Sequence, residues 1–251
     1  MSTAVPQPGE ASQDPAATGS SAPLQDADRL AAETLFGDRL PVAEAYVEHL
    51  ATSGIERGLI GPREVPRLWE RHVLNCAAPA PLLVDGTTVA DVGSGAGLPG
   101  LCLAIARPGV EFLLIEPLER RCVWLQEVID DLALENVTIL RGRSEQFFGK
   151  VTADVVTARA VSAMTNLAGM TLPLLSGNGV LLALKGRSAA EEIAKAAKKI
   201  SSLGGRDPRV FTVGDDVLAE PTTLVRVDVG SVEGVLREDV HTGSVEADPT
   251  R

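Results

Sequence analysis

The chain has 251 residues, an apolar content of 45% and a formal net charge of −11. That length buries one sizeable core, and no apolar run reaches the span of a bilayer. Three cysteines without C-x-x-C spacing argue against a disulfide framework or a zinc site, and the N-terminus carries no basic-then-apolar secretory pattern.

Residues 1–27 are rich in Ala, Ser, Pro, Gly and Gln and are expected to be disordered. Residues 28–80 carry apolar residues at helical spacing. Leu30, Leu35, Phe36, Leu40, Tyr46 and Leu50 predict one or two helices, with Pro41 at a break or start. Val65, Leu68, Trp69, His72, Val73 and Leu74 predict another after Gly61-Pro62, and together they make a helical N-terminal extension. Trp69 and Trp124 read as core residues rather than stacking platforms. His72 reads equally as a packing residue or a functional one.

From residue 81 to 229 strands and helices alternate. Strands are predicted near 88–92, 111–116, 136–140, 153–158, 179–185, 208–213 and 222–228, with helices near 98–107, 118–133, 162–174 and 188–203. This order predicts a mostly parallel, doubly wound sheet whose last two strands pair antiparallel. Residues 230–251 read as an acidic, disordered tail.

The charge is uneven. Residues 1–28 and 215–251 hold 13 acids and three arginines, which leaves 21 acids against 20 bases between them. Basic clusters such as Arg63, Arg67 and Arg71, Arg120 and Arg121, Arg141 and Arg143, and Lys185 and Arg187 are candidates to meet phosphate; the alternative for each is a solvated face.

The most informative run is Asp91-Val92-Gly93-Ser94-Gly95-Ala96-Gly97-Leu98-Pro99-Gly100, between a predicted strand and a helix start. Glycines let a ligand approach the backbone, and the amides and dipole of the following helix are expected to face it. Gly95 to Gly100 satisfies G-x-G-x-x-G, the dinucleotide pattern. Asp91 with Gly93, Gly95 and Gly97 also makes D-x-G-x-G-x-G, the usual first motif of S-adenosylmethionine (SAM) methyltransferases. A carboxylate beside the loop suits the ammonium and sulfonium of SAM and gives a pyrophosphate nothing, so SAM is favoured over NAD. Glu116 ends the second strand, where an acid can hold ribose hydroxyls; both cofactors have that ribose.

Five stretches taken in order resemble the bacterial 16S ribosomal RNA guanine-N7 methyltransferase family (RsmG/GidB). They are Trp69-Glu70-Arg71-His72, Asp91 to Gly100, Arg141-Gly142-Arg143-Ser144-Glu145, Thr157-Ala158-Arg159-Ala160-Val161 and Leu184-Lys185-Gly186. The resemblance covers roughly residues 30–228. Asn75-Cys76 departs from the Asp or Ser often found there.

The resemblance implies a Rossmann-like SAM-dependent methyltransferase fold, a seven-stranded mostly parallel sheet behind the helical extension. It implies methylation of guanine N7 in 16S rRNA of the small ribosomal subunit, by a cytoplasmic protein read here as a monomer with no metal and no membrane partner. Guanine N7 offers a lone pair without losing a proton, so no catalytic base is expected, and Arg143, Arg159 and Lys185 are candidates for positioning. Gly93, Gly95, Gly97 and Leu98 are expected to line the cofactor, with Asp91 facing the loop or the ammonium and Glu116 on the ribose. Ser144 and Glu145 follow the third strand, where the adenine usually lies; Glu145 is alternatively a helix N-terminal acid. Arg159 is placed to bind the SAM carboxylate or an RNA phosphate, or to make a structural ion pair. Arg143 contacts RNA or pairs with Glu145, and Lys185 contacts RNA or guanine O6. The competing functions are a SAM enzyme acting on a small molecule or protein, an NAD-linked oxidoreductase and a non-catalytic RNA-binding module.

Overall fold

The structure is a computed structural model, and it describes residues 23–238, 240 and 242–244. The expected N-terminal tail up to residue 22 and the chain after 244 lie outside the described residues.

Eight strands form one sheet: β1 (Thr88–Val92), β2 (Glu111–Glu116), β3 (Val137–Arg141), β4 (Val155–Arg159), β5 (Gly179–Leu184), β6 (Gly205–Val213), β7 (Thr222–Val229) and β8 (Gly243–Ser244). Their order is β3-β2-β1-β4-β5-β7-β6-β8. The first five strands are parallel, and β7 is antiparallel to both β5 and β6. The predicted doubly wound sheet and its antiparallel end are therefore present. The eighth strand is additional: the segment after Val229, expected to be disordered, returns to the sheet. Leu236 is buried and bridges Leu83, and β8 pairs with β6. The signal was two small apolar patches in an acidic segment, too short to show a period.

The helices are α1 (Asp26–Phe36), α2 (Leu40–Ala51), α3 (Ser53–Glu56), α4 (Asn75–Ala77), α5 (Gly100–Ala106), α6 (Glu119–Asp131), α7 (Met164–Thr171) and α8 (Ala189–Ser202). The central strands are buried on both faces, so they read as near-continuous apolar runs. Val180 and Leu182 of β5 point into one core with α5, α6 and the extension, while Leu181 and Ala183 point into a second with α7 and α8. Period-two alternation thus serves two cores at once.

The extension differs from expectation in one stretch. The segment predicted as an α-helix after Gly61-Pro62 is a 3-10 helix over Pro62–Arg67 followed by a π-helix over Leu68–Leu74. Pro66 has no N–H to donate to an α ladder, so the chain re-forms its winding around it. π-turns are rare and often accompany functional sites. The extension is tied to α6 by Trp124 Nε1 donating to Ser53 Oγ at 2.9 Å and by the Arg57–Glu127 ion pair.

Candidate active site

Register places the chemistry. Glu116 of β2 is opposite Arg141 of β3, Asp91 of β1 is opposite Thr157 of β4, and Arg159 of β4 is opposite Leu184 of β5. Asp91, Glu116, Ser144, Arg159 and Lys185 therefore mark the carboxyl ends of five neighbouring strands, where ligands of open α/β sheets bind.

The glycine turn is held from beneath by two buried acids. Asp91 Oδ2 accepts from Gly100 N at 3.1 Å. Glu116 accepts from Gly95 N at 3.0 Å through Oε2 and from Leu118 N at 2.9 Å through Oε1. Arg121, expected among the phosphate candidates, lies 3.5 Å from Glu116 Oε2. Gly93, Gly95 and Gly97 all have positive φ, between 59° and 82°. A Cβ on Gly93 would fall 2.8 Å from Val161 Cγ2, and one on Gly100 would strike Leu114 and Asp91. Tyr46 of the extension, fully buried, donates its hydroxyl to Ala96 O at 2.6 Å. The loop is thus shaped by acids below and a tyrosine from the extension. Tyr46 carried no sequence signal beyond helical spacing.

One expectation changes here, and one residue gains a further role. The first amides of the helix are taken, Gly100 by Asp91 and Leu101 by Gly97 O, and in the loop Gly93 and Ser94 donate to Ile115 O, Gly97 and Leu98 to Ser94 O and Gly95 to Glu116. A pyrophosphate would need those N–H groups and would meet two acids below them, so the dinucleotide alternative finds no nest. Glu116, assigned to the ribose, has each carboxylate oxygen on a backbone amide, which makes it first a fastener of the turn.

What remains fits SAM. Burial pushes the Asp91 carboxyl up to about 7, against the Gly100 hydrogen bond that favours its charged form. Its Oδ1 is buried with no hydrogen-bond partner, and an ammonium or a bridging water satisfies it. Ser144 Oγ, on the turn after β3, is likewise buried without a partner and can bond the adenine edge. Leu98 is half-buried at the end of the loop. Glu145 and Arg143 are exposed on the same turn. No ion pair joins them among the described residues; instead Gln146 Oε1 accepts from Arg143 N at 2.8 Å.

Arg159 and Lys185 part company. Lys185 Nζ donates to Ser162 O at 2.7 Å and Glu192 Oε2 at 2.8 Å, so it buttresses the turn after β4. That bond, with those from Ser188 and Met164, holds the Glu192 carboxyl below its usual range despite partial burial. Arg159 instead reaches the extension, donating to Cys76 Sγ at 2.9 Å, His72 Nδ1 at 2.7 Å and Arg71 O at 3.3 Å. It lines a cleft of about 470 Å³ with Arg71, His72 and Asn75, and a second of about 350 Å³ with Ala160, Lys185 and Glu192. The Asn75-Cys76 departure acquires a role in both residues: Asn75 exchanges hydrogen bonds with Thr222, and Cys76 accepts from Arg159. All three cysteines are free and buried, and among the described residues no group of His, Cys, Asp or Glu could hold a metal ion. No described helix is long and apolar enough to cross a membrane.

A parallel sheet of this order, with its glycine turn fastened by acids at the ends of the first two strands, defines a Rossmann-like SAM-dependent methyltransferase. The profile of the GidB family, rRNA small subunit methyltransferase G, matches residues 39–218. The ribosomal RNA small subunit methyltransferase G of Pseudarthrobacter chlorophenolicus is 68% identical over 81% of this chain and 94% of its own. That of Corynebacterium efficiens is 53% identical over 78% and 86%, and that of Streptomyces avermitilis 50% over 82% and 87%. Among solved structures, M. jannaschii TYW2 in complex with AdoMet matches 65% of this chain and 78% of its own, at 16% identity and a TM-score of 0.48. The chain belongs to the rRNA small subunit methyltransferase G family.

Proposed function

We propose that this protein methylates N7 of one guanine in the 16S rRNA of the small ribosomal subunit, acting as a monomer in the cytoplasm. The observation that carries the reading is the pairing of a cofactor turn that rejects pyrophosphate with a guanidinium that has no carboxylate partner, in a chain of this family. None of the ion pairs among the described residues involves Arg159. A half-buried charge without a carboxylate is suited to an anion, which an rRNA phosphate or the SAM carboxylate supplies.

When bound, SAM supplies an electrophilic methyl group on a sulfonium. Asp91 and the glycine turn hold the methionine and ribose end, with Gly93, Gly95, Gly97 and Leu98 lining it. Glu116 keeps the turn in place and offers its remaining acceptor capacity to the ribose. Ser144 and Glu145 read the adenine edge. Guanine N7 carries a lone pair and no proton, so the chain has to orient the base rather than deprotonate it. Arg159 and Arg143 serve that orientation from the strand ends. Lys185 serves it indirectly, by fixing Ser162 and Glu192 beside the second cleft.

The test is transfer of label from radiolabelled SAM to small subunits from cells lacking this protein, followed by nuclease digestion. The expected product is N7-methylguanosine at one site. SAM binding without rRNA label would keep the cofactor and discard the substrate in favour of a small molecule or protein. Binding to the subunit should weaken steeply with salt, because phosphate contacts release counterions.

A further inference from the structure

The groups that hold Arg159 come from one short stretch, residues 71–76, far from it in sequence. Three of the five guanidinium N–H groups are taken by Cys76 Sγ, Arg71 O and His72 Nδ1. The remaining two are left to a ligand, and Arg159 lines both clefts. His72 is the telling partner. An imidazole accepts at Nδ1 only when that nitrogen carries no proton, which places the proton on Nε2. Glu64 Oε2 lies 2.9 Å from Nε2 and accepts it. The carboxylate selects the tautomer, and the tautomer orients the arginine, as outer partners do for metal-bound histidines.

We infer that His72, held by Glu64, is a positioning residue for methyl transfer: it fixes the guanidinium plane of Arg159 so that its remaining N–H groups meet the substrate. This rests on the proposed rRNA methyl transfer. Burial keeps His72 neutral against the pull of Glu64, and the Arg159 charge adds to burial. Protonation would turn Nδ1 into a donor facing a cation and would release Arg159. The charged groups facing His72 are Glu64, Arg71 and Arg159, and Asp28, Glu70 and Glu220 line the same cleft. Asp91 titrates at about 7 in the cofactor turn, so a pH profile alone does not isolate His72.

Two substitutions do. H72Q can keep a donor to Glu64 but loses the acceptor for Arg159, whereas H72N places an amide oxygen where Nδ1 stood. Initial rates of label transfer to methyl-free small subunits would be measured for both, with SAM affinity by calorimetry and thermal midpoints. For H72Q, kcat/KM for the subunit should fall roughly ten- to a hundredfold, the scale of a misplaced orienting group, at unchanged SAM affinity and midpoint. H72N should recover most of that loss and should lose the part of the acid limb that belongs to His72. A wild-type rate in H72Q overturns the inference, as do equal losses in H72Q and H72N. If the wild type itself labels no rRNA, the proposed function fails, and nitrogen-15 NMR of His72 then decides this inference separately. An unprotonated Nδ1 supports it, and a proton on Nδ1 overturns it.

Discussion

The cofactor turn and the Arg159 frame sit at neighbouring strand ends and are built in opposite ways. Within 91–118 the turn supplies nearly all its own hydrogen bonds: Asp91 meets Gly100, and Glu116 meets Gly95 and Leu118. Arg159 has no such local support, and its partners arrive from the π-helix and α4, more than eighty residues earlier. A local device fixes a cofactor that every turnover uses in one way. A device assembled from two separate parts of the chain makes the substrate side depend on how the extension is seated.

Substitutions should separate the two devices. The largest effect is expected for Gly93→Asp, where φ is +75° and Val161 already closes the space a Cβ would need. Calorimetry should show SAM affinity falling by about a hundredfold or more, ~2.7 kcal/mol. Gly100→Ala drives a methyl into Leu114 and Asp91, and denaturant unfolding should show a loss of about 1–3 kcal/mol. Glu116→Gln leaves one of two buried amides facing an NH₂ group, which should cost about 1–2 kcal/mol in the same assay.

The two devices should also respond to pH with opposite signs. Asp91 has a raised folded pKa, so its stabilising contribution is complete below the unfolded value of 3.8 and is lost as pH rises through about 7. His72 has a lowered one, so its contribution is present above the unfolded 6.5 and is lost as pH falls. Urea midpoints from pH 5 to 8 should show Asp91→Asn removing a downward slope and His72→Asn removing an upward one. A shared sign in the two variants would break the comparison. The smallest effect is expected for Arg57→Ala: its pair with Glu127 is about half exposed, and the loss should stay under about 1 kcal/mol by thermal melting.

The same contrast governs what the sequence made legible. Glycines, a preceding Asp and a strand-ending Glu announce the turn because their spacing is the structure. The strand runs were equally plain, since burial on both faces leaves mostly Val, Leu and Ala in β4 and β5. The amide directions in the turn were not legible, because a glycine run does not say whether its N–H groups point at a ligand or at its own acids. Arg159 was marked by its strand end and Cys76 only as a departure from the family pattern, yet Glu64 and Tyr46 were not, because helical spacing treats them as surface or core. Lys185 was marked as a contact for RNA or guanine O6, and its bonds to Ser162 and Glu192 were not legible, because they depend on where the next helix sits.

The chain has one tyrosine and two tryptophans. Tyr46 touches the glycine turn and Trp124 bonds Ser53, so two of the three strong near-ultraviolet chromophores stand where the extension meets the sheet domain, and Trp69 lies buried in the π-helix of the extension itself. The spectroscopic signals of this protein therefore report on the extension and on its seam with the sheet domain. A near-ultraviolet dichroism or emission change on adding RNA would register the seating of the extension while the sheet stayed silent.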